Sequence, residues 1–547
     1  MRDPAHPPPA AVPQTVGVVG AGTMGGGIAQ LAVLAGARTL LHDPDHAALD
    51  RGVETLRANL AKGAERGRWS ADEAEAAAVR LEPTHTLEAL APADLIIEAA
   101  PERLELKREL FARLAEIVSP DCVLASNTSS IPITALAGAV ERPERVVGMH
   151  FFNPAPLMRL LEVIAGEDSG EAALASARAL GEAMGKVVID AADGPGFLVN
   201  RAYRPFSLEA LRLVTERIAS IEQVDRIMRL GGGFRMGPFE LMDLVGVDVG
   251  FDVSRSFHEL SFGEPRWRPS PLTARMVAAG RTGRKSGRGY YDYRSGPHRP
   301  DDPPAPQADL PRAPGGPVVV IAGEIPLAVE LIERAEDAGW DARTPAEADG
   351  EVPFLILDCG AAADDPPLQG GPQAICLHEG SLAALGGGRD GVTAVGFHAL
   401  PPLERGGLVE LTRGPDSHDA AATAAERFFP TLGLHAEWVG DAAGLVLGRI
   451  VCQLVNEAAF AVGEGVGTPA DLDAGMVHGL NHPRGPLSWG DAIGLDHVLS
   501  VLDALSDEYR EDRYRAAPLL RRLVLSGRVG RATGEGFFTY DDDAEAA

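Results

Sequence analysis

Lysine is almost missing from this chain. Of 50 basic residues only Lys62, Lys107, Lys186 and Lys285 are lysine, so each one marks a position where a compact ammonium has been kept among arginines. Cysteine is as scarce. Cys122, Cys359, Cys376 and Cys452 form no CxxC pair, and no His/Cys spacing resembles a zinc site, so a reducing compartment and no metal are expected. No apolar run approaches the roughly eighteen residues of a membrane helix. The start, MRDPAHPPPAAVPQ, lacks the apolar stretch of a signal peptide, so residues 1–14 read as a disordered lead and the protein as cytoplasmic. Positive charge is in deficit too: the formal charge of −28 argues against nucleic acid or an anionic membrane as partner, because nothing offsets phosphate repulsion. An anionic small substrate held by a local basic patch stays compatible with that balance.

What is abundant is apolar and small. Hydrophobic content of 45% and 63 glycines fit a globular α/β chain, and 547 residues exceed one hydrophobic core. TVGVVG (15–20) reads as a strand running into the small-residue helix AGTMGGGIAQLAVLAGA, and RTLLHD ends a second strand at Asp43. Residues 51–90 read as two helices. Strands DLIIEA, CVLASN, VVGMHFF and LLEVIAG follow, and strands alternating with helices predict a parallel sheet with right-handed crossovers. The expected division is a Rossmann domain at 15–192, an all-helical domain at 193–293 and a proline-rich linker at 294–317.

The second half repeats the first. His150 and Glu162 in MHFFNPAPLMRLLEV return as His398 and Glu410 in FHALPPLERGGLVEL, at an offset of 398 − 150 = 248. HPRGPLSWGDAIGLD answers RMGPFELMDLVGVD at 248, and GRVGRATGEGFFTY answers GRTGRKSGRGYYDY at 247, which predicts a duplication. Residues 318–440 then form a truncated, degenerate Rossmann-like domain with no room for the helical pair at 51–90. Residues 441–547 form a second helical domain, expected to pack on the first as a dimer partner would.

Gly20-Ala21-Gly22-Thr23-Met24-Gly25 follows a strand and opens a helix, with Asp43 placed 23 residues after Gly20. The glycines suit a tight turn, a close backbone approach to a pyrophosphate and tight helix packing, while Asp43 suits ribose hydroxyls and favours NAD over NADP. Ser126-Asn127-Thr128-Ser129-Ser130 puts small polar groups at a strand's carboxyl end, where open α/β sheets bind ligands. His150 ends another strand. A lone histidine there is more often structural, but a carboxylate such as Glu162, accepting the Nδ1 proton, would leave Nε2 as a base.

These segments together, VGVVGAGTMGGGIA, DLIIEAAPERLELK, ASNTSSI, GMHFFNPAPLMRLLEV, DGPGFLVNR and GRKSGRGYYDY, resemble the NAD-dependent L-3-hydroxyacyl-CoA dehydrogenases over residues 15–293. The tandem helical domain is similar to the 3-hydroxyadipyl-CoA and 3-hydroxybutyryl-CoA subgroup of β-oxidation and phenylacetate breakdown. The resemblance implies that His150 is the base, Glu162 its orienting partner, Ser129 a holder of the substrate's 3-oxygen and Asn200 a substrate contact from the helical domain. For NAD it implies Gly20 to Gly25, Asp43, Glu102, Lys107, Asn127, Ser129, Asn153 and Lys285, and for the CoA phosphates Lys62. It also implies an acyl-CoA thioester as substrate and a homodimer through the helical domains. Arg159, Arg201 and Arg204 are candidate partners for a substrate's terminal carboxylate. Two other readings share the opening fingerprint: a non-catalytic NAD-binding scaffold, and a 3-hydroxyacid dehydrogenase with a lysine base. The second is disfavoured because no lysine lies between 187 and 284.

Overall fold

A computed structural model describes residues 11–311, 317–348, 352–360, 370–386 and 393–540. The chain forms two compact units, Met1–Arg201 with Glu464–Leu480, and Ala202–Gly463 with Asn481–Ala547. Among the described residues no helix is long and apolar enough to cross a membrane.

The first unit is built on eight strands: β1 (Thr15–Val19), β2 (Arg38–His42), β3 (Leu81–Thr84), β4 (Leu95–Glu98), β5 (Val123–Ser126), β6 (Val146–Phe151), β7 (Leu160–Ala165) and β8 (Val187–Ala192). Their order is β3-β2-β1-β4-β5-β6-β7-β8. Val16, Val18, Ile97 and Ala125 are fully buried beneath the crossover helices. Two expectations need correction. The sheet is not wholly parallel, since β7 runs antiparallel to β6: residues 152–159 between them are too few for a crossover helix. Residues 51–90 are also not helix throughout. After His46–Glu65 and Ala71–Val79, residues 81–84 form β3 at the sheet's edge, where Pro83 is tolerated because its missing N–H faces no partner strand.

The second unit repeats this design with β9 (Val318–Ala322), β10 (Asp341–Arg343), β11 (Leu355–Asp358), β12 (Gln373–Cys376), β13 (Val395–His398), β14 (Leu408–Arg413) and β15 (His435–Trp438). The order is β10-β9-β11-β12-β13-β14-β15, with no counterpart of β3 among the described residues. Helices Val199–Thr215, Ile221–Leu230, Pro238–Val245 and Val247–Leu260 are each matched by one starting 248 residues later: Leu447–Gly463, Pro469–Leu480, Pro486–Ile493 and Leu495–Tyr509.

The copies exchange elements. Helix Pro469–Leu480, from the second copy, belongs to the first unit. Ala192 N–H donates to Val466 O at 2.8 Å, and a Cβ on Gly479 would stand 2.5 Å from a Leu160 methyl and 3.4 Å from the Phe152 ring. Reciprocally, helix Ile221–Leu230 meets β15 in the second unit, where Gln223 Nε2 donates to Glu437 Oε1 at 3.0 Å and Arg226 pairs with Glu437 at 2.9 Å. The two copies' helices are locked by Arg449, which is fully buried: it donates to Glu209 at 2.9 Å, Glu216 at 2.7 Å and the Tyr514 hydroxyl at 2.6 Å. Its counterpart 248 residues earlier, Arg201, pairs with Glu464, itself the counterpart of Glu216, at 2.7 Å.

Removing one member of a buried charge network strands the others without solvent. Arg449→Met is expected to lower unfolding free energy by about 3–5 kcal/mol, read from urea denaturation. An unchanged midpoint would show that the arginine is not the lock.

Candidate active site

β1 ends in a turn whose three glycines do different work. Gly20 has φ +102, and a Cβ there would lie 2.6 Å from Ala99 O; a Cβ on Gly25 would lie 1.8 Å from Gly20 O. Gly22 differs: a Cβ there would meet nothing within 4 Å, so its hydrogen preserves open space rather than packing. Helix Thr23–Leu34 begins with no side chain capping it, which leaves its first N–H groups for an anion. Asp43, one residue past β2, accepts Ala21 N–H at 2.8 Å and Asp45 N–H at 2.9 Å. An open cradle at Gly22, donors at a helix start and an acid at the next strand end fit a dinucleotide's pyrophosphate and ribose.

At the ends of β4 and β5 a buried lattice arranges the serine-rich loop. Ser126 Oγ donates to Glu98 Oε2 at 2.6 Å. Lys107, 1% exposed, bridges Glu98 at 2.6 Å and Glu102 at 3.2 Å. Glu102 Oε1 accepts Thr128 Oγ1 at 2.6 Å, Ser129 N–H at 3.1 Å, Ser130 N–H at 3.2 Å and Ser130 Oγ at 2.9 Å. Burial works against the Glu102 charge, but Lys107 and these hydroxyls outweigh it and hold its carboxyl below the ordinary range. Asn127 Oδ1 accepts Phe151 N–H at 2.8 Å, tying the loop to β6. The Ser126, Thr128 and Ser130 hydroxyls are thus engaged; that of Ser129 donates to nothing among the described residues. Lys107 therefore acts in this lattice as a strut for Glu102.

His150 and Glu162 face each other across the antiparallel β6–β7 pair. His150 Nδ1 lies 2.6 Å from Glu162 Oε2, with the ring 6% exposed and the carboxylate fully buried. Glu162 Oε1 accepts the N–H groups of Leu198 at 3.2 Å and Val199 at 3.0 Å, where helix Val199–Thr215 begins. Those amides are aimed by a left-handed pair, Gly196 at φ 73 and Phe197 at φ 52, a backbone state that a non-glycine residue holds only where its surroundings impose it. Phe152 and Phe197 flank the imidazole with ring centroids 4.6 and 5.9 Å away. Asn200 follows directly, in the first turn of that helix.

A cavity of about 610 Å³ runs from Ala21, Gly22 and Thr23 along helix His46–Glu65, with Arg51, Asn59, Lys62, Arg66, Arg68 and Trp69 in its wall. Lys62 thus stands with three arginines that sequence reasoning did not single out, although RGVETLRANLAKGAERGRW is visibly basic on a chain of net negative charge. Asn153 is exposed beside Pro154, while Lys285 lies in the second unit, paired with Asp248 at 2.7 Å. Of the candidate carboxylate partners, Arg201 is buried on Glu464 and Arg204 is buried against Phe257, with its guanidinium 5.0 Å from the ring centre; Arg159 is exposed. Lys186, given no role from sequence, donates to the carbonyls of Ala155 and Met158 at 2.6 Å each and so shapes the loop after His150.

The second copy keeps the register and loses the pair. His398 stands opposite Glu410, but Glu410 uses one oxygen for Val446 N–H (2.8 Å) and the other for Leu447 N–H (3.0 Å). His398 Nε2 lies instead 3.1 Å from His497 Nε2, and its Nδ1 is a buried atom without a partner. Burial pushes the Glu410 carboxyl up to about 8 despite the two amides, and pushes His398 down to about 3.

A dinucleotide cradle and a histidine–carboxylate pair in one unit are the two parts that an NAD-dependent oxidoreductase requires. Residues 15–194 match the NAD-binding domain of 3-hydroxyacyl-CoA dehydrogenase, and residues 196–293 and 444–540 each match its C-terminal domain. The chain is 36% identical over 516 residues to a 3-hydroxyadipyl-CoA dehydrogenase of Escherichia coli K12, covering 94% of this chain and 98% of that one. It is 43% identical over 277 residues to a probable 3-hydroxybutyryl-CoA dehydrogenase of Deinococcus radiodurans, covering 51% of this chain and 99% of the relative. The crystal structure of a 3-hydroxybutyryl-CoA dehydrogenase from E. coli K12 aligns with a TM-score of 0.79 at 34% identity, over 94% of this chain and all of that one. The chain belongs to the 3-hydroxyacyl-CoA dehydrogenase family. Its cofactor is NAD and its substrates are acyl-CoA thioesters.

The glycine roles predict an asymmetry. Gly22→Ala should leave thermal stability near wild type yet weaken NAD binding roughly tenfold or more, a loss of about 1.4 kcal/mol in a fluorescence titration. Gly25→Ala should instead unfold at a distinctly lower temperature. Equal NAD affinity in Gly22→Ala would refute the cradle.

Proposed function

We propose that His150 is the general base in the oxidation of (S)-3-hydroxyacyl-CoA to 3-ketoacyl-CoA, with Glu162 as its positioning carboxylate. The observation carrying this reading is the division of labour on Glu162: one oxygen serves two backbone amides, leaving the other for His150 Nδ1. A carboxylate accepting the Nδ1 proton selects the tautomer whose Nε2 lone pair takes a proton from the 3-hydroxyl, and it stabilises the imidazolium that results. Bound NAD supplies the hydride acceptor. Ser129, whose hydroxyl is unspent in the loop lattice, and Asn200 hold the 3-oxygen as charge develops on it. Gly20 to Gly25, Asp43, Glu102, Asn127 and Asn153 serve the dinucleotide, with Lys107 acting through Glu102. Lys62, with Arg51, Arg66 and Arg68 around it, receives the CoA phosphates.

The domain division this reading adopts is a catalytic module at 15–293 and, beyond the 294–317 linker, a relic module at 318–547 kept for structure. Its helical part supplies Pro469–Leu480 to the first unit and Arg449 to the helix–helix lock. A cytoplasmic homodimer through the helical domains follows from the same reading. The scaffold alternative is weaker because it gives no reason for an intact His150–Glu162 bond in one copy and a broken one in the other.

Oxidation of NADH on adding acetoacetyl-CoA is the test. His150→Ala should lose about 10²–10⁴ in kcat while NAD affinity is kept, and His398→Ala should turn over like wild type. Full activity in the first variant, or none in a folded second variant, would overturn the assignment.

A further inference from the structure

One enclosed polar group in the first unit has no part in the chemistry at His150. Gln30 lies in helix Thr23–Leu34 between Ala29 and Leu31, and only 4% of it is exposed. A buried acceptor left unpaired costs folding free energy, so an amide enclosed to this degree normally has a partner. Gln30 Oε1 is nonetheless buried with no hydrogen-bond partner among the described residues.

Gln30 also lines the cavity of about 610 Å³ that starts at the pyrophosphate cradle. Thr23, Gly26, Gly27 and Gln30 follow the three- and four-residue spacing of one helix face, and all four line that cavity. A Cβ on Gly26 would meet only Ala21 O, at 3.8 Å, so space is kept open one turn from Gln30. On the facing helix, His46–Glu65, the lining between Arg51 and Lys62 is uncharged: Gly52, Thr55, Leu56 and Asn59. It becomes cationic at Lys62, Arg66 and Arg68. An uncharged slot with an open amide, leading to a basic end, suits a slender chain of secondary amides that terminates in phosphates. The pantetheine arm and nucleotide of coenzyme A have that chemistry.

The second copy lacks this helix face. Helix Pro326–Asp337 matches Thr23–Leu34 in length, at an offset of 326 − 23 = 303. The register is fixed by Gly20, which returns as Gly323 with φ 108 and a Cβ position 2.5 Å from Cys359 O. At that offset Gly26 becomes Val329, Gly27 becomes Glu330 and Gln30 becomes Glu333, which is exposed. The buried amide and the small residues beside it are thus kept together in the catalytic copy and lost together in the relic.

We propose that Gln30 accepts a hydrogen bond from an amide N–H of the substrate's pantetheine arm, a role that rests on the CoA thioester occupying this cavity as proposed above. The ligand completes an acceptor that the fold leaves open, so no existing bond is broken to make the new one. The arm is chemically unchanged during hydride transfer. The bond therefore contributes to KM and not to kcat.

The test is Gln30→Met, which keeps the side chain's bulk and removes the acceptor, assayed by NADH oxidation with acetoacetyl-CoA and with acetoacetyl-pantetheine, beside Lys62→Ala. In Gln30→Met, KM should rise about three- to tenfold for both thioesters, with kcat and NADH affinity as in wild type. Its thermal midpoint should be no lower than wild type, because no bond within the fold is lost; a purely structural glutamine would lower it. Lys62→Ala should raise KM for acetoacetyl-CoA alone, since acetoacetyl-pantetheine carries no phosphate. If Lys62→Ala changes neither KM, the cavity does not hold CoA, and the assignment of Lys62 falls together with that of Gln30. If Lys62→Ala behaves as expected while Gln30→Met keeps its KM, loses NADH affinity or melts early, the role of Gln30 alone is overturned.

Discussion

One buried carboxylate governs the site. Glu162 has four lone-pair positions and is fully buried, so its partners are fixed by the protein. Two are amides at the start of helix Val199–Thr215, which follows the left-handed residues Gly196 and Phe197, and both meet the same oxygen. Among the described residues the other oxygen has one hydrogen-bond partner, the Nδ1 of His150. The strand pair, the turn and the helix start therefore converge on a single proton position, and the chemistry assigned to Nε2 depends on it.

The second copy is a natural control for that constraint. Gly444 and Leu445 repeat the left-handed turn at φ 66 and 47, and Glu410 still caps the next helix. The capping function survives because a buried helix start needs an acceptor whether or not catalysis occurs. What is lost is the asymmetry, since each Glu410 oxygen takes one amide and His398 turns to His497. The copy has kept what folding requires. Its helices persist for a related reason: Pro469–Leu480 is part of the first unit's own packing, and Arg449 neutralises two acids from the first copy. Helix Pro469–Leu480 covers the face carrying Leu160 and Ile189, where a Cβ on Gly479 would stand 2.5 Å from Leu160 and one on Gly475 3.0 Å from Ile189.

Much of this was legible in the sequence. The offset of 248 carries the four main helices after residue 198 onto their second-copy counterparts, and the strand-end positions of Asp43, the serine-rich loop and His150 followed from apolar runs ending in polar residues. Three things were not legible, each for a physical reason. β3 is hidden between two helices because LEPT is too short for a period to show. The reversal at β7 was hidden because a strand's burial pattern does not encode its direction. The exchange of helix Pro469–Leu480 was hidden because a helix packed through Gly475 and Gly479 advertises close contact without naming its partner. At the site, sequence could pair His150 with Glu162. It could not reveal that Glu98 organises Lys107 and Ser126, or that Lys107 is enclosed rather than open to ligand.

The most direct measurement of the central claim is the proton position on the His150 ring, read from two-bond ¹H–¹⁵N couplings in protein labelled with ¹⁵N-histidine and assigned with a His150 variant. Neutral His150 should carry its proton on Nδ1 and a bare Nε2. A ring protonated at Nε2, with Nδ1 bare, could not accept the substrate's proton there and would contradict the account.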